Sequence, residues 1–410
     1  MPDGGGAIDA ALQVDMSALP SGQYDYTINS GIRRFTGSIF AGSSTDTKDK
    51  FISVNTINSP FGSGWGIAGW QELVENSDSS LLLIDGDGSE LVFDKSTSAA
   101  GGYVSPPGDF SKFEKLADGT YRRTLNDKTV YSFNTDKRLV SVKEANGNET
   151  KYIYNSSGEL SQIIDIAGLI TKLTYANGKV SQIEDPAGRL TKLEYDAAGN
   201  LQKIVDPDTK ARTFSYDAQR HITKEIDKRG FSEQTLYDFA GRGTGGIRSD
   251  GSQLQVAPVQ VQGLYPEQDT INPLNAPVAK PLGAVEASYA DGSGGVVTQI
   301  LDQTGQVISA KDGGGNKPTF ERNQNLLVTK RIDARGNVTS YEYDAKGNVK
   351  SISDSLYGTP QTNSNNNNNQ LFAANNFYAV GASPTGVTIK DINDDRTPDI
   401  VTTNRYSNNV

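Results

Sequence analysis

The chain has 410 residues, a formal net charge of −10 and no cysteine. The acidic balance argues against a nucleic-acid partner, which would need a basic stripe to meet phosphates, and no apolar run approaches the length that spans a bilayer. The lack of cysteine excludes disulfides and thiol chemistry, and leans towards a bacterial surface or secreted protein.

Residues 1–50 read as a β-rich lead-in. Leu12 and Val14 alternate, Leu19 to Gly22 makes a turn, and Tyr24, Tyr26 and Ile28 alternate again. This segment is either the closing hairpin of a sandwich module or the first strands of the next one. Its first residues, Met1 to Gly6, lack the basic patch and apolar core of a signal peptide. The chain is therefore expected to be a piece of a larger protein whose export signal lies elsewhere.

Residues 51–132 hold both tryptophans, Trp65 and Trp70, among glycines at 62, 64, 66 and 69. Exposed indoles would make a carbohydrate platform; the alternative is an aromatic plug packed on a sheet, with the glycines allowing close approach. Asp85-Gly-Asp-Gly88 lies between apolar runs. It reads as a hairpin turn rather than a calcium loop, because the later ligand positions are missing. Two more hairpins follow, around Asp118-Gly119 and Asn126-Asp127.

Residues 133–242 carry a repeat. Tyr154, Tyr175, Tyr195, Tyr216 and Tyr237 recur at spacings of 21, 20, 21 and 21, with Phe133 one beat earlier. Each unit is strand, turn, strand, turn. In the clearest unit, Thr191, Leu193 and Tyr195 share one face while Lys192 and Glu194 point away. The turn at Asp185-Pro-Ala-Gly188 places a carboxylate first, a φ-fixed proline second and a permissive glycine last. Asp206-Pro-Asp-Thr209 loses the glycine, so that turn is expected to differ. In the second strand Leu201 and Ile204 are three apart, which strict alternation puts on opposite faces; a bulge would reconcile them. One hairpin cannot bury its own aromatic face, so the stack is the folding unit.

Residues 243–283 interrupt the beat with a proline-punctuated insertion. Residues 284–360 resume it in degenerate form, with Phe320 standing in for the tyrosine and Tyr343 as a full copy. Residues 361–370 are an asparagine-rich linker that cannot pack a core. In residues 371–410, oxygen side chains alternate at Asp391, Asn393, Asp395 and Asp399, and Thr397 can add a carbonyl. This is the pattern of a loop wrapped around calcium, a hard cation that takes six to eight oxygens; the alternative is a solvated acidic turn. The single histidine, His221, follows a beat and reads as a surface turn residue. No nucleophile-elbow motif is present, and no enzymatic role is expected.

Two resemblances add to this. Tyr195-Asp-Ala-Ala-Gly-Asn-Leu201 and Tyr343-Asp-Ala-Lys-Gly-Asn-Val349 resemble the YD repeat of Rhs proteins, teneurins and the C components of bacterial toxin complexes. Asn58 to Trp70 resembles the lead-in to such repeats. The resemblance implies an all-β fold in which a long antiparallel sheet curls into a spiral, hollow shell, often around another polypeptide. The segment from Phe377 to Asp399 resembles an FG-GAP repeat, the blade of integrin-type propellers whose loops bind calcium, although Arg396 stands where that family has glycine. The expected function is a non-enzymatic structural and interaction protein, extracellular or on a bacterial cell surface, with a protein cargo or a cell-surface partner. The alternatives are a calcium-dependent adhesion or carbohydrate-binding module and a carbohydrate-active enzyme on a β scaffold.

Overall fold

The computed structural model describes residues 10–12, 14, 16–36, 39–98, 101–238, 241–257, 262–264, 285–291, 293–302, 306–355, 384–390 and 399–404. Among these residues all regular structure is strand. They fall into two units, residues 1–359 and residues 360–410. The second contributes one antiparallel hairpin, Pro384–Lys390 with Asp399–Asn404.

The first unit is built on one antiparallel sheet of 26 strands that runs in chain order from Glu72–Glu75 to Val349–Asp354. Among the described residues no ladder joins the last strand to the first, so the sheet does not close into a barrel. It coils instead. A lone bridge sets Glu72 against Arg138. Asn126 Nδ2 donates to the Lys346 carbonyl at 2.7 Å, although 220 residues separate them. A large twisted sheet has to curl in this way as strands are added. Two smaller pairings stand apart: the hairpin Gly22–Thr36 with Ile39–Ser53, and a parallel pair of Ala10–Leu12 with Gln262–Leu264.

Each repeat contains the bulge that its apolar spacing required. Tyr195 pairs with Leu201 and Glu194 with Lys203, so Gln202 is the extra residue and Ile204 comes opposite Leu193. Leu201 and Ile204 thereby share the tyrosine face. The same shift recurs opposite Phe133, Tyr154, Tyr175, Tyr216, Tyr237, Leu301 and Tyr343. A further copy corrects the expected beat: the bulge there lies opposite Arg322, which pairs with Val328, while Phe320 pairs with Arg331 and fills the place that Leu193 holds in its own repeat.

The turns are held by their aspartates. Asp196 Oδ1 accepts the amides of Ala198 and Asn200, both at 2.9 Å, and Asn200 Nδ2 donates to Oδ2 at 2.8 Å. Burial pulls the Asp196 carboxyl up, but these hydrogen bonds outweigh it and hold the pKa below its ordinary value. Asp85-Gly-Asp-Gly88 is likewise a hairpin turn, closed by the Gly88 amide on the Asp85 carbonyl at 2.9 Å.

The buried side chains form two clusters. The first contains Leu81, Phe93, Phe113, Tyr121, Phe133 and Leu139. The second contains Phe61, Leu160, Leu173, Val180, Leu201 and Phe214. Trp70 and Tyr152 pack against both. Arg123 is buried in the first region, where it pairs with Asp109, donates to Ser111 Oγ at 3.0 Å and lies over the Phe93 ring.

The turn at Asp206 differs, as its sequence suggested, in its cap: Asp208 Oδ1 accepts the Lys210 amide at 3.1 Å, where Asp196 itself serves Asn200, while the backbone closure is kept. The Thr209 amide reaches the Asp206 carbonyl at 2.9 Å, as the glycine does in other copies, and Thr209 takes φ +68° to do so. That left-handed backbone disfavours a β-branched residue. Thr209→Gly is therefore expected to stabilise the chain by about 1 kcal/mol. Thermal or urea unfolding checks it, and an unchanged or lowered midpoint would show that the turn carries no strain.

Candidate functional site: the tyrosine ladder and its plug

The bulge leaves a carbonyl without a strand partner. In the second strand of each hairpin, pairing to the next hairpin begins only after the bulge; Gln162, for example, is the first residue of its strand to do so, opposite Lys172. The carbonyl of Leu160, two residues earlier, is taken by a side chain. Tyr175 Oη donates to it at 2.9 Å. Tyr154 does the same to Leu139 at 2.7 Å, Tyr195 to Val180 at 2.7 Å and Tyr216 to Leu201 at 2.7 Å. Tyr237 reaches Ile222 at 2.9 Å and Tyr343 reaches Val328 at 2.6 Å. Every tyrosine thus ties its own hairpin to the one before it. Phe133 has no hydroxyl and is simply buried. Burial pushes the Tyr154 and Tyr175 hydroxyls up to about 12, so both remain protonated donors at neutral pH.

A second set of hydroxyls was missed in the sequence. Ser161 Oγ donates to the Ile153 carbonyl at 3.0 Å, and Ser181 Oγ to Thr174 at 3.1 Å. Thr223 and Thr329 make the same bond to Ser215 and Glu321. Each is the extra residue of its bulge, and its hydroxyl serves the carbonyl across the gap. The signal was present as a Ser or Thr directly after the aliphatic residue of the second strand.

The segment from Thr56 to Gln71 lies on this ladder. Trp65 Nε1 donates to Tyr216 Oη at 2.9 Å, and Trp70 Nε1 to Tyr154 Oη at 3.0 Å. The Val180 amide donates to the Pro60 carbonyl at 2.8 Å, and Lys179 Nζ to Ser59 at 2.6 Å. Phe61 is buried, edge-on to Trp70 with ring centres 5.9 Å apart. Trp65 packs on Phe214 at 4.8 Å. The glycines permit this approach. A Cβ on Gly86 would lie 1.9 Å from the Ile67 carbonyl, and one on Gly62 would lie 2.8 Å from the Leu201 amide. Asp85 completes the anchor by accepting from the Gly69 amide at 2.7 Å and from Gln71 at 2.9 Å. Both indole N–H groups are thus spent on tyrosines of the chain itself.

His221 takes the turn position that Asn200 holds one repeat earlier. Its Nδ1 lies 2.9 Å from Asp217 Oδ2, and its ring stacks on Tyr237 at 4.7 Å. Of the oxygen set at the C-terminal end, Asp391, Asn393, Asp395 and Thr397 lie outside the described residues, and Asp399 opens the strand Asp399–Asn404. Among the described residues no helix is long and apolar enough to cross a membrane, and no group of three or more acidic or histidine side chains is placed to hold a metal.

A family model described as RHS Repeat matches residues 175–211, 195–232 and 323–359. The chain carries RHS repeats. The matched stretches hold the tyrosine ladder from Tyr175 to Tyr216 and its last rung at Tyr343. No curated protein sequence matches the chain. Among solved structures, "Crystal Structure of TcdB2-TccC3-TEV" is similar at 10% identity and a TM-score of 0.38 over 68% of this chain and 15% of that one. "Crystal Structure of TcdB2-TccC3 without hypervariable C-terminal region" is similar at 11% identity and a TM-score of 0.38, over 70% and 16%. The Photorhabdus luminescens Tc holotoxin pore is similar at 11% and 0.38, over 67% and 15%. The chain therefore spans about 15% of the length of these proteins.

The RHS rungs are expected to bear load. Tyr195→Phe keeps the ring but strands the Val180 carbonyl, and with it the weaker contact to Pro60 at 3.3 Å. A loss of about 1–3 kcal/mol is expected, because a buried acceptor is left unpaired. Urea unfolding measures it; a cost within error of zero would show that water replaces the hydroxyl freely.

Proposed function

We propose that the RHS repeats build a non-enzymatic β-shell of a bacterial surface or secreted protein, toxin- or adhesion-related, that encloses or presents another polypeptide. One observation carries this reading. The plug covers the tyrosine face around residues 160–216, where Leu160, Val180 and Leu201 are almost fully buried. In the later repeats, among the described residues, the same face is less buried. Val349 pairs with Tyr343 and Ile352 with Tyr341, so both lie on that face, yet they are 52% and 55% exposed. Tyr289 in the strand Val285–Ala290 is also exposed. Exposed apolar side chains on the face that is core elsewhere favour contact with another chain. The test is a reporter polypeptide rich in trypsin sites, joined after Val410. It is expected to resist trypsin at doses that cleave the free reporter, and equal cleavage rates would end the enclosure reading.

A calcium-dependent module at the C-terminal end is the second reading. It rests on the alternating oxygens of Asp391, Asn393, Asp395, Thr397 and Asp399, and it is favoured by the pairing of Lys390 with Asp399, which holds the two ends of that segment together. Calorimetry is expected to register about one calcium per chain, as one oxygen-ligand loop would take, with the heat lost in Asp391→Ala. The absence of heat from the unaltered chain would remove this reading.

A further inference from the structure

The hairpin Gly22–Thr36 with Ile39–Ser53 stands outside the large sheet. Each strand has 15 residues, so the ribbon extends about 50 Å at the usual rise per residue. Its base is fastened: the Gln23 amide donates to Asn76 Oδ1 at 2.8 Å, and Lys50 pairs with Asp78. Beyond that base, among the described residues, neither strand has a second strand partner. An isolated two-stranded ribbon is marginal in water, and an unguarded edge invites another strand.

The two edges differ. The strand Ile39–Ser53 carries Lys48, Lys50, Asp46 and Asp49, charges of the kind that protect edges. The strand Gly22–Thr36 has a single charge, Asp25, between its base and Ile32, and no lysine or proline. Its even residues Tyr24 and Tyr26 lie beside Phe51, with Tyr24 stacked on that ring at 5.6 Å, and Ile28 is exposed on the same face. The Gln23 amide points out of the ribbon, towards Asn76. By alternation the odd residues from Asp25 onwards also direct their amides and carbonyls outwards.

We infer that this edge pairs with the same edge of a second copy of the chain, antiparallel and centred on Asn29. Centring on Asn29 pairs odd residues with odd ones, which hydrogen bonding across the edge requires. It sets Asp25 of each copy opposite Arg33 of the other, giving two charge pairs related by the two-fold axis. It also places Tyr26 in register with position 32, an isoleucine. Other residue centres also pair odd residues with odd ones but lose this match: centring on 28 sets Asp25 against Gly31, on 30 against Phe35, on 27 against Asn29, and on 31 against the tip. The ladder runs from Asp25 to Arg33 and stops where Asn76 already occupies Gln23. Isologous pairing of this kind closes a dimer and leaves no filament-forming edge between the copies.

Because the chain lacks cysteine, a single introduced thiol reads the register directly. Opposed residues in a hydrogen-bonded antiparallel pair lie about 5.5 Å apart at Cα, within disulfide range. Asn29→Cys is expected to give a disulfide dimer on oxidation, and Thr47→Cys, on the other strand, is expected to give none. Sedimentation of the full chain should show a reversible dimer. Arg33→Asp should weaken it by about tenfold or more, since each copy then sets like charges opposite one another, and Asp25→Arg combined with Arg33→Asp should restore it. A chain that stays monomeric with no Asn29→Cys crosslink would overturn the proposal and leave the ribbon to a different partner. A dimer unmoved by Arg33→Asp, or one that crosslinks through Thr47→Cys, would overturn it as well.

Discussion

The fold depends on a carbonyl that each hairpin cannot satisfy by itself. The bulge opposite every beat lets Leu201 and Ile204 face the same way, and so lets the second strand contribute to the core. It does this by breaking the ladder at the end of the strand. The tyrosine hydroxyl of the next hairpin repairs the break, as Tyr216 does for Leu201. Apolar burial is not specific about spacing, whereas a hydrogen bond to one carbonyl is. The ladder therefore fixes the distance between hairpins as well as holding them together, and it explains why the beat keeps to 20 or 21 residues while the outward residues vary.

The plug reads the same ladder from the other side. A tyrosine hydroxyl that donates to a carbonyl still has lone pairs free, and the two indole N–H groups of Trp65 and Trp70 take them at Tyr216 and Tyr154. Hydroxyls that would otherwise be half-satisfied in a buried setting are thereby completed. The glycines around the tryptophans bring the backbone of this segment against the turn at Gly86 and the strand at Leu201, at distances that no side chain would allow.

Coverage of the tyrosine face changes along the sheet. Where the plug lies, the face is core, and its energetics are those of packing and paired hydroxyls. Past Tyr216 the plug no longer lies on this face, and among the described residues Val349 and Ile352 of the last hairpin are exposed. The outer face carries cross-strand pairs such as Lys172 with Glu184 and Lys330 with Glu321. Exposed pairs of that kind add little stability, and serve to keep this side of the sheet soluble.

Much of this was legible in one dimension. The period, the strand–turn rhythm, the aspartate-capped turns and the aromatic face follow from alternation and turn chemistry, which act between residues a few positions apart. The bulge was raised by the three-residue spacing of Leu201 and Ile204, but only the register established it. What the residue order left open depends on partners far away in the chain. That the tyrosine is a donor to the preceding hairpin, 15 residues back, needs the stack to exist. That Trp65 and Trp70 are spent internally needs residues about 150 and 84 positions away to be brought beside them. Arg322 as a beat, where Phe320 seemed the obvious aromatic, was settled by register alone, since a strand's facing is fixed by its partner and not by its composition.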